Sequence, residues 1–262
     1  MNGRIEHIAH GGPRDHFAAG ARGLSSRREQ PEHCHVPIVP RVGGDTLPRM
    51  SAPKPVAAVE SSEAQPRPTR ILVVRHGQSE WNAAGRWQGH ADVPLDRDGM
   101  LQAAAAAEVL GAFDAIWSSH LQRATLTAQI IAELCGVGPV EIDERLCEND
   151  VGPWEGLDRA EVEAGWPGYL EQHRRPEGFE SYDAAAARMG AALIEIAARH
   201  PGGEILVVSH GGIMGALRRH LGAPNERFSN LGGAWLVAHH GSGLHLGDRV
   251  ALLAPKPVSD IL

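Results

Sequence analysis

Two nearly identical apolar runs organise the pattern of hydrophobic and polar positions. Residues 71–77 read Ile-Leu-Val-Val-Arg-His-Gly, and residues 205–211 read Ile-Leu-Val-Val-Ser-His-Gly. Four consecutive aliphatic residues of this kind are typical of a strand that is buried on both faces of a parallel sheet. Ligands in open α/β sheets bind at the carboxyl edge, where each run turns polar. The pattern therefore predicts two core strands that bring His76 and His210 to one edge.

Either run alone would carry little information, because short apolar runs are common in protein cores and histidines often lie in turns. The repetition, with a glycine after each histidine, favours a shared role. Gly77 and Gly211 would let the backbone turn tightly and approach a ligand closely. The two histidines are thus the first candidates for a functional site.

The rest of the pattern alternates between helical and extended periods. It predicts helices from an Asp96 cap to Leu110, from Leu121 to Leu134, over 158–174, from Tyr182 to Arg199 behind a Ser181 cap, and from Gly212 to Leu221. It predicts strands over 115–117, 140–142, 234–239 and 243–253, and a loop over 78–95. Strands that alternate with helices predict an α/β fold, a three-layer sandwich with a mostly parallel sheet flanked by helices.

The first 69 residues lack both periods. They are rich in Arg, His, Pro and Gly, and such a composition cannot bury enough apolar surface to offset the entropy of ordering. We therefore expect a disordered N-terminal extension over 1–69 and one folded domain over 70–262. Met50 opens a Pro- and Ala-rich stretch ahead of that domain, so the sequence leaves translation starts at Met1 and Met50 open.

Composition narrows the classes of partner. The net charge of -7 gives no basic surface for nucleic acid or an anionic membrane, so we expect neither partner. No stretch approaches the roughly 20 apolar residues of a membrane span, and no apolar signal segment opens the chain. Three scattered cysteines fit neither a disulfide framework nor a zinc site, which suits the cytoplasm. The sequence leaves a homodimer open.

Two further stretches supply charged candidates. Arg123 falls in the first turn of a predicted helix, where free amides and the positive dipole end already favour an anion. A phosphate in front of the helix would explain an arginine there, and so would a salt bridge to a nearby carboxylate. Residues 145–156 combine glycines, a proline and a tryptophan with acids, which indicates a fixed loop with a working carboxylate.

Together these residues suit phosphoryl transfer. The oxygens of the transferring group need cations or donors, and Arg75 and Arg123 supply them in fork geometry. The neutral imidazole of His76 or His210 is a competent nucleophile near pH 7, and a phosphohistidine splits one hard step into two. Glu148 or a neighbour would protonate the leaving oxygen. Because two guanidinium groups neutralise the charge, we expect the site to need neither a metal nor a cofactor.

Five motifs in this order resemble the histidine phosphatase superfamily, the phosphoglycerate-mutase-like family. They are residues 75–82 (RHGQSEWN), 85–89 (GRWQG), 121–128 (LQRATLTA), Glu148 ahead of 152–156 (GPWEG), and 209–212 (SHGG). The match runs from about 71 to 253. It implies a phosphoglycerate-mutase-like fold and a catalytic domain over 70–262.

The resemblance also implies residue roles. Five residues would form the catalytic centre: His76 as the phosphorylated nucleophile, Arg75, Arg123 and His210 as the rest of the phosphate pocket, and Glu148 as the proton donor. Asn82 and Gln88 match positions that help to bind the transferring group. Ser79, in the polar segment predicted to fold over an anion, is a third substrate-binding candidate.

Three functions remain to be weighed. Mutases of the family carry an insertion after the arginine helix and a basic tail that closes the site, whereas here the acid loop follows promptly and the chain ends in the short tail 254–262. We therefore expect a phosphomonoesterase that hydrolyses a small phosphorylated metabolite through a phosphohistidine on His76. A cofactor-dependent phosphoglycerate mutase is the alternative. A silent phosphate-binding module would ordinarily have lost one of the five site residues.

Substrate specificity is expected to depend on residues 149–183, which we call the lid. This segment should contact the non-reacting part of the substrate. His173, Arg174, Arg175 and Arg86 are candidates for binding a second carboxylate or phosphate, and a solvated surface explains them equally well.

Overall fold

The computed structural model describes residues 67–224, 226–239 and 241–254. The predicted disordered extension lies almost entirely outside these residues, as do the Met50 start and the tail after residue 254. Those three interpretations therefore stay predictions. No helix within the described ranges is both long enough and apolar enough to cross a membrane.

Six strands form one mixed sheet. They are β1 (Thr69–Arg75), β2 (Ala115–Ser118), β3 (Glu141–Ile142), β4 (Glu204–Ser209), β5 (Gly232–His239) and β6 (Gly243–Ala251). The strand order across the sheet is β3-β2-β4-β1-β5-β6. The first four strands are parallel to one another, and β5 and β6 extend the sheet in antiparallel fashion. The predicted α/β fold with a mostly parallel sheet is confirmed.

Helices cover both faces of this sheet. They are α1 (Glu80–Ala84), α2 (Arg97–Val109), α3 (Gln122–Cys135), α4 (Arg159–Gly165), α5 (Tyr182–Arg199) and α6 (Gly211–His220). The predicted caps are present, since the side chains of Asp96 and Ser181 accept hydrogen bonds from the backbone N–H groups of Gly99 and Ala184. Each cap satisfies one of the free donors at a helix start and so fixes where the helix begins.

The two apolar runs are buried on both faces, as predicted. Ile71 and Val73 pack in one cluster with the inner faces of α5 and α6. Leu72 and Val74 pack on the opposite side against α2 and α3. The run in β4 divides between the same two clusters in the same alternation. With both faces of the central strands covered, the carboxyl edge is where their following residues reach a ligand.

Two local predictions were wrong. The helix expected over 158–174 ends at Gly165, because Pro167 disfavours a helical conformation for Trp166, and Gly168 has a positive φ of 77°. The loop expected over 78–95 contains α1, whose five residues are too few to show a helical period. Ser79 starts this short helix in a capping box with Asn82.

Candidate active site

The two histidines meet because the repeated runs pair in register. In the parallel pair of β1 and β4, Val74 lies opposite Val208 and Arg75 lies opposite Ser209. The N–H of His76 donates to the carbonyl oxygen of Ser209 at 3.0 Å. The rings of His76 and His210 follow at the same level, with their centroids 5.1 Å apart. The expected meeting of both histidines at one edge is therefore observed.

The glycines after the histidines admit parts of the protein itself. A Cβ atom on Gly77 would lie 2.5 Å from the carbonyl oxygen of Gly99, in the first turn of α2. A Cβ atom on Gly211 would lie 3.3 Å from Cδ and Nε of Arg75. Both distances are shorter than ordinary van der Waals contact. Gly77 thus allows α2 to approach the end of β1, and Gly211 makes room for the side chain of Arg75.

His76 is buried and held in one tautomer. Its Nδ1 atom lies 2.6 Å from the carbonyl oxygen of Gly77. A carbonyl oxygen can only accept, so Nδ1 carries the proton and Nε2 keeps its lone pair. Burial, followed by the charges of Arg123 and Arg75, lowers the pKa of His76 well below its usual 6.5. The imidazole is therefore neutral near pH 7, with a nucleophilic nitrogen free.

His210 is buried beside it as a potential donor. Its Nε2 atom lies 2.9 Å from Oγ of Ser119, which already accepts a hydrogen bond from the N–H of Leu121. The hydroxyl proton of Ser119 is thus available for Nε2, which leaves the proton of neutral His210 on Nδ1. That Nδ1 atom is buried and has no hydrogen-bond partner in the described part of the chain. Burial and the charge of Arg123 lower the pKa of His210 well below 6.5.

Two buried arginines flank the histidines. Arg123, in the first turn of α3 as predicted, donates through Nη1 to Ala91 O at 2.7 Å and through Nη2 to Gly89 O at 2.9 Å. Arg75 donates through Nη1 to Phe228 O at 2.9 Å. Burial lowers the pKa of Arg123 to about 10, so the group stays charged near pH 7.

These guanidinium groups are incompletely satisfied. The Nε atoms of Arg75 and Arg123 are buried without a hydrogen-bond partner among the described residues. Neither side chain forms a salt bridge within that part of the chain, so a structural ion pair does not explain Arg123. Buried charged donors without partners are costly, and an anion that accepts from both would offset the cost.

Glu148 reaches the site from the acid loop. Its Oε1 atom accepts from the N–H groups of Asn149 at 2.9 Å and Ile213 at 2.8 Å. Its Oε2 atom accepts from Gly212 N–H at 3.0 Å. The carboxylate therefore faces the first turn of α6.

Arg188 of α5 holds this loop in place. Its Nη1 atom donates to the carbonyl oxygens of Arg145 and Cys147, and its Nη2 atom donates to that of Glu148, each at 2.8 Å. The same guanidinium forms an ion pair with Glu180 at 2.8 Å. One mostly buried side chain thus holds three backbone carbonyl groups within residues 145–148, at the candidate acid.

The three substrate-binding candidates lie at different depths. Gln88 is buried and lines the cavity in front of His76. Its Oε1 atom accepts from the hydroxyl group of Ser79 at 2.9 Å. Ser79 and Asn82 are engaged in the capping box of α1, and neither lines the cavity. Oδ1 of Asn82 also accepts at 3.3 Å from Asn230, whose amide donates to His76 O. A role for Ser79 and Asn82 in substrate binding stays a prediction.

The cavity in front of His76 has a volume of about 660 Å³. Arg75, His76 and Arg123 line it together with Glu148, and the lid contributes a wall. The lid has its own small core, in which the Trp87 and Trp154 rings lie 5.1 Å apart.

The four residues predicted as candidates for binding a second anion divide into two pairs. His173 and Arg175 line the cavity. Arg86 instead pairs with Glu161 at 3.0 Å, and Arg174 stacks on the Tyr169 ring at 4.1 Å. Neither of these two lines the cavity.

Sequence reasoning missed several cavity residues. They are Asn149, Tyr182, Arg219 and Arg227. The side-chain amide nitrogen and oxygen of Asn149 are both buried without a partner among the described residues. Its position directly after Glu148 could have marked it as a site residue from the sequence. Arg219 follows Gly211 by eight residues, a spacing that keeps both on one face of α6. No sequence pattern marks Tyr182 or Arg227.

Comparison with known proteins decides the family. A sequence model described as "Histidine phosphatase superfamily (branch 1)" matches residues 71–237. This chain belongs to the histidine phosphatase superfamily. The resemblance carried by the five motifs is thereby confirmed.

Named members of the superfamily are similar over most of their length. A metal-independent phosphoserine phosphatase of Arabidopsis thaliana is 39% identical over 168 residues, which is 60% of this chain and 71% of that protein. A glucosyl-3-phosphoglycerate phosphatase of Mycobacterium tuberculosis is 36% identical over 196 residues, 64% of this chain and 87% of that protein.

Solved structures in the superfamily agree. A mycobacterial glucosyl-3-phosphoglycerate phosphatase in complex with VO3 superposes with a TM-score of 0.62 at 33% identity and covers 68% of this chain and 96% of its own. A phosphoserine phosphatase mutant from Entamoeba histolytica in complex with phosphoserine gives a TM-score of 0.57 at 26% identity, over 70% of this chain and 98% of its own.

Proposed function

We propose that this protein is a phosphomonoesterase that transfers the phosphoryl group of a small metabolite to His76 and then to water. One observation carries the proposal: a buried, neutral His76 presents a free Nε2 lone pair between two guanidinium groups that have no carboxylate partner in the described chain. Phosphatase names among the relatives support the same reaction class.

The first step is an in-line displacement. The Nε–H groups of Arg75 and Arg123 and the Nδ1–H of His210 donate to the phosphoryl oxygens and offset their charge. The Nε2 lone pair of His76 forms the N–P bond as the bond from phosphorus to the leaving oxygen breaks. Glu148 gives its proton to that oxygen, and the product leaves as an alcohol.

Glu148 must change its protonation state during the cycle. In the structure its Oε1 atom accepts two backbone hydrogen bonds and its Oε2 atom accepts one, so Oε2 keeps a lone pair that can carry the proton. In the second step ionised Glu148 takes a proton from water, whose oxygen attacks phosphorus and breaks the N–P bond.

The substrate class proposed is a small phosphorylated metabolite. Relatives named for phosphoserine and for glucosyl-3-phosphoglycerate support this class. The closing residues 259–262 also resemble those of glucosyl-3-phosphoglycerate phosphatases, but they lie outside the described residues.

A rapid-quench experiment with p-nitrophenyl phosphate tests the proposal. We expect a burst of nitrophenol that equals the enzyme concentration, an acid-labile phosphohistidine on the peptide containing His76, and continued turnover. His76→Ala should lack all three. Absence of turnover in the wild type would identify a silent phosphate-binding module instead.

A second assay separates hydrolysis from mutase activity. With 3-phosphoglycerate and a trace of 2,3-bisphosphoglycerate, a phosphatase releases inorganic phosphate or leaves the mixture unchanged. Rapid formation of 2-phosphoglycerate would reject the phosphatase assignment in favour of the mutase alternative.

A further inference from the structure

A second cationic cluster lines the cavity apart from the phosphate site. It consists of Arg175 in the lid, Tyr182 at the start of α5 and Arg219 in α6. The guanidinium of Arg219 lies 4.0 Å from the centroid of the Tyr182 ring. Arg175 lies 5.6 Å from the same centroid and donates through Nε at 3.1 Å and Nη2 at 2.8 Å to the Tyr182 hydroxyl. One aromatic ring thus orients two positive charges.

Neither arginine is neutralised within the described part of the chain. Arg145 and Arg188, for comparison, each pair with a carboxylate. Arg175 and Arg219 form no ion pair there, and Arg219 donates no side-chain hydrogen bond to any described residue. Arg175 uses some of its five N–H donors on Tyr182 and on Arg174 O, which leaves others for a ligand.

Acidic residues of the cavity do not offset this charge. Six arginines and two glutamates line it. One of the glutamates, Glu148, is engaged by the first turn of α6. The other, Glu226, pairs with Arg249. Arg175 also lies over the rings of Trp154 and Phe179, at 5.4 and 5.3 Å. Such stacking stabilises a cation by about 0.5 to 1 kcal/mol at exposed sites, but it does not neutralise the charge.

An open path on α6 connects the two cationic regions. Gly211, Gly215 and Arg219 are spaced by four residues, so they share one face of the helix, and all three line the cavity. A Cβ atom on Gly215 would meet nothing within 4 Å. With a rise of about 1.5 Å per residue, the backbone of Arg219 lies roughly 12 Å, about two helix turns, beyond Gly211 at the phosphate end, and helical side chains lean back toward the N-terminus, which shortens the gap. A substrate of that length can bridge the gap.

We propose that Arg175 and Arg219, oriented by Tyr182, bind a second anionic group of the substrate, a carboxylate or a phosphate. Guanidinium groups bind both through paired N–H donors. The inference rests on the proposed phosphatase function and narrows its substrates to phosphomonoesters with an anion at the far end.

The test compares compounds that differ in one terminal group. The compounds are straight-chain phosphomonoesters that end in a hydroxyl, a carboxylate or a second phosphate. Their chains have about three to six methylene groups, a range chosen to span the gap along α6. At the best length, we expect kcat/KM for a charged terminus to exceed that for the hydroxyl about 10- to 100-fold, as the loss of a charge-assisted hydrogen bond implies. The carboxylate and phosphate series show which anion is preferred.

Variants assign the preference to the cluster. Arg219→Gln and Arg175→Gln should each bring the ratio of kcat/KM for the charged substrate to kcat/KM for the neutral substrate close to one. Arg219→Lys should keep part of the preference because it keeps the charge. Arg174→Gln is the matched control, since that exposed neighbour does not line the cavity. Melting curves identify any variant that fails to fold.

Each negative result has a distinct meaning. Equal kcat/KM values for charged and neutral termini in the wild type, or an unchanged ratio in Arg219→Gln, would overturn the second anion subsite while leaving the phosphatase intact. A wild type that turns over no phosphomonoester would overturn the proposed function. In that case calorimetric binding of the same compounds to His76→Ala decides on the subsite, which is rejected if Arg219→Gln binds the charged compounds equally well.

Discussion

The imidazole rings of His76 and His210 lie 5.1 Å apart with an interplanar angle of 60°. They meet because β1 and β4 carry the same apolar run and pair in register up to Arg75 and Ser209. The proximity also has an electrostatic effect, since His76 contributes to lowering the pKa of His210. Two adjacent buried imidazoles between arginines both stay neutral near pH 7, as their proposed roles of nucleophile and hydrogen-bond donor require.

Glu148→Gln should affect substrates according to their leaving group. An alkoxide is too basic to depart without a proton, whereas nitrophenolate leaves nearly unaided. We expect phosphoenzyme formation from alkyl phosphates to fall about 10² to 10⁴-fold and the nitrophenol burst to fall far less. Equal losses in the burst phase for both types would remove Glu148 from the acid role. Asp150→Asn and Glu155→Gln, in the same loop, are the matched variants.

Arg188→Met should act through Glu148. The variant loses the bonds to three carbonyl oxygens of the acid loop and leaves Glu180 unpaired. We expect kcat for alkyl phosphates to fall roughly tenfold or more and stability to fall by about 1 to 3 kcal/mol. The double variant Arg188→Met/Glu148→Gln should have the same kcat as Glu148→Gln alone, because Arg188 is expected to act only through Glu148. Losses in kcat that add up in the double variant would reject this positioning role of Arg188. Arg199→Met, on the same helix with an exposed ion pair, is the control.

Stability should fall on acidification because the unfolded chain binds protons first. The pKa of His76 and of His210 lies below 6.5 in the folded protein and near 6.5 in the unfolded chain. The free energy of unfolding should therefore decrease as pH falls below about 6.5, by at most about 1.4 kcal/mol per pH unit for each histidine. Urea unfolding at several pH values in this range should show that the free energy of unfolding changes less steeply with pH for His210→Gln than for the wild type. An equal pH dependence in His210→Gln and the wild type would contradict the prediction. His120→Gln, which changes an exposed histidine, is the control.

Activity should survive removal of metal ions. The two guanidinium groups are expected to neutralise the phosphoryl charge, so turnover of p-nitrophenyl phosphate after dialysis against EDTA should match that of the untreated protein. A loss that is restored by Mg²⁺ or Zn²⁺ would show that a cation takes part.

A chain that begins at Met50 should match the full chain in turnover and in melting temperature. The composition of the preceding residues gives them little apolar surface to contribute. A decrease of several degrees in melting temperature would mean that the N-terminal segment packs on the folded domain. Mass spectrometry of the natively expressed N-terminus would identify the start site separately.

The sequence by itself determined the elements and the centre of the site. Continuous apolar runs marked the core strands, and a period of 3.6 with caps at Asp96 and Ser181 marked the long helices, because these signals depend on neighbours close in the chain. The shared edge followed as well, since each run leads into a histidine, His76 or His210, at the carboxyl end of its strand, whereas the register of the two strands came from the structure. Local signals failed at two places. Pro167 and Gly168 end α4 earlier than its apolar pattern predicted, and α1 is too short to show a helical period.

Only the tertiary structure decided what surrounds that centre. Two of the three backbone bonds to Glu148 depend on α6 meeting the acid loop, and the contacts of Arg188 with that loop depend on where α5 packs. The cluster of Arg175, Tyr182 and Arg219 joins the lid, α5 and α6, which are separated along the chain. No periodic pattern records such contacts, because side chains that meet across packed elements are selected by distance in space and not by spacing in sequence.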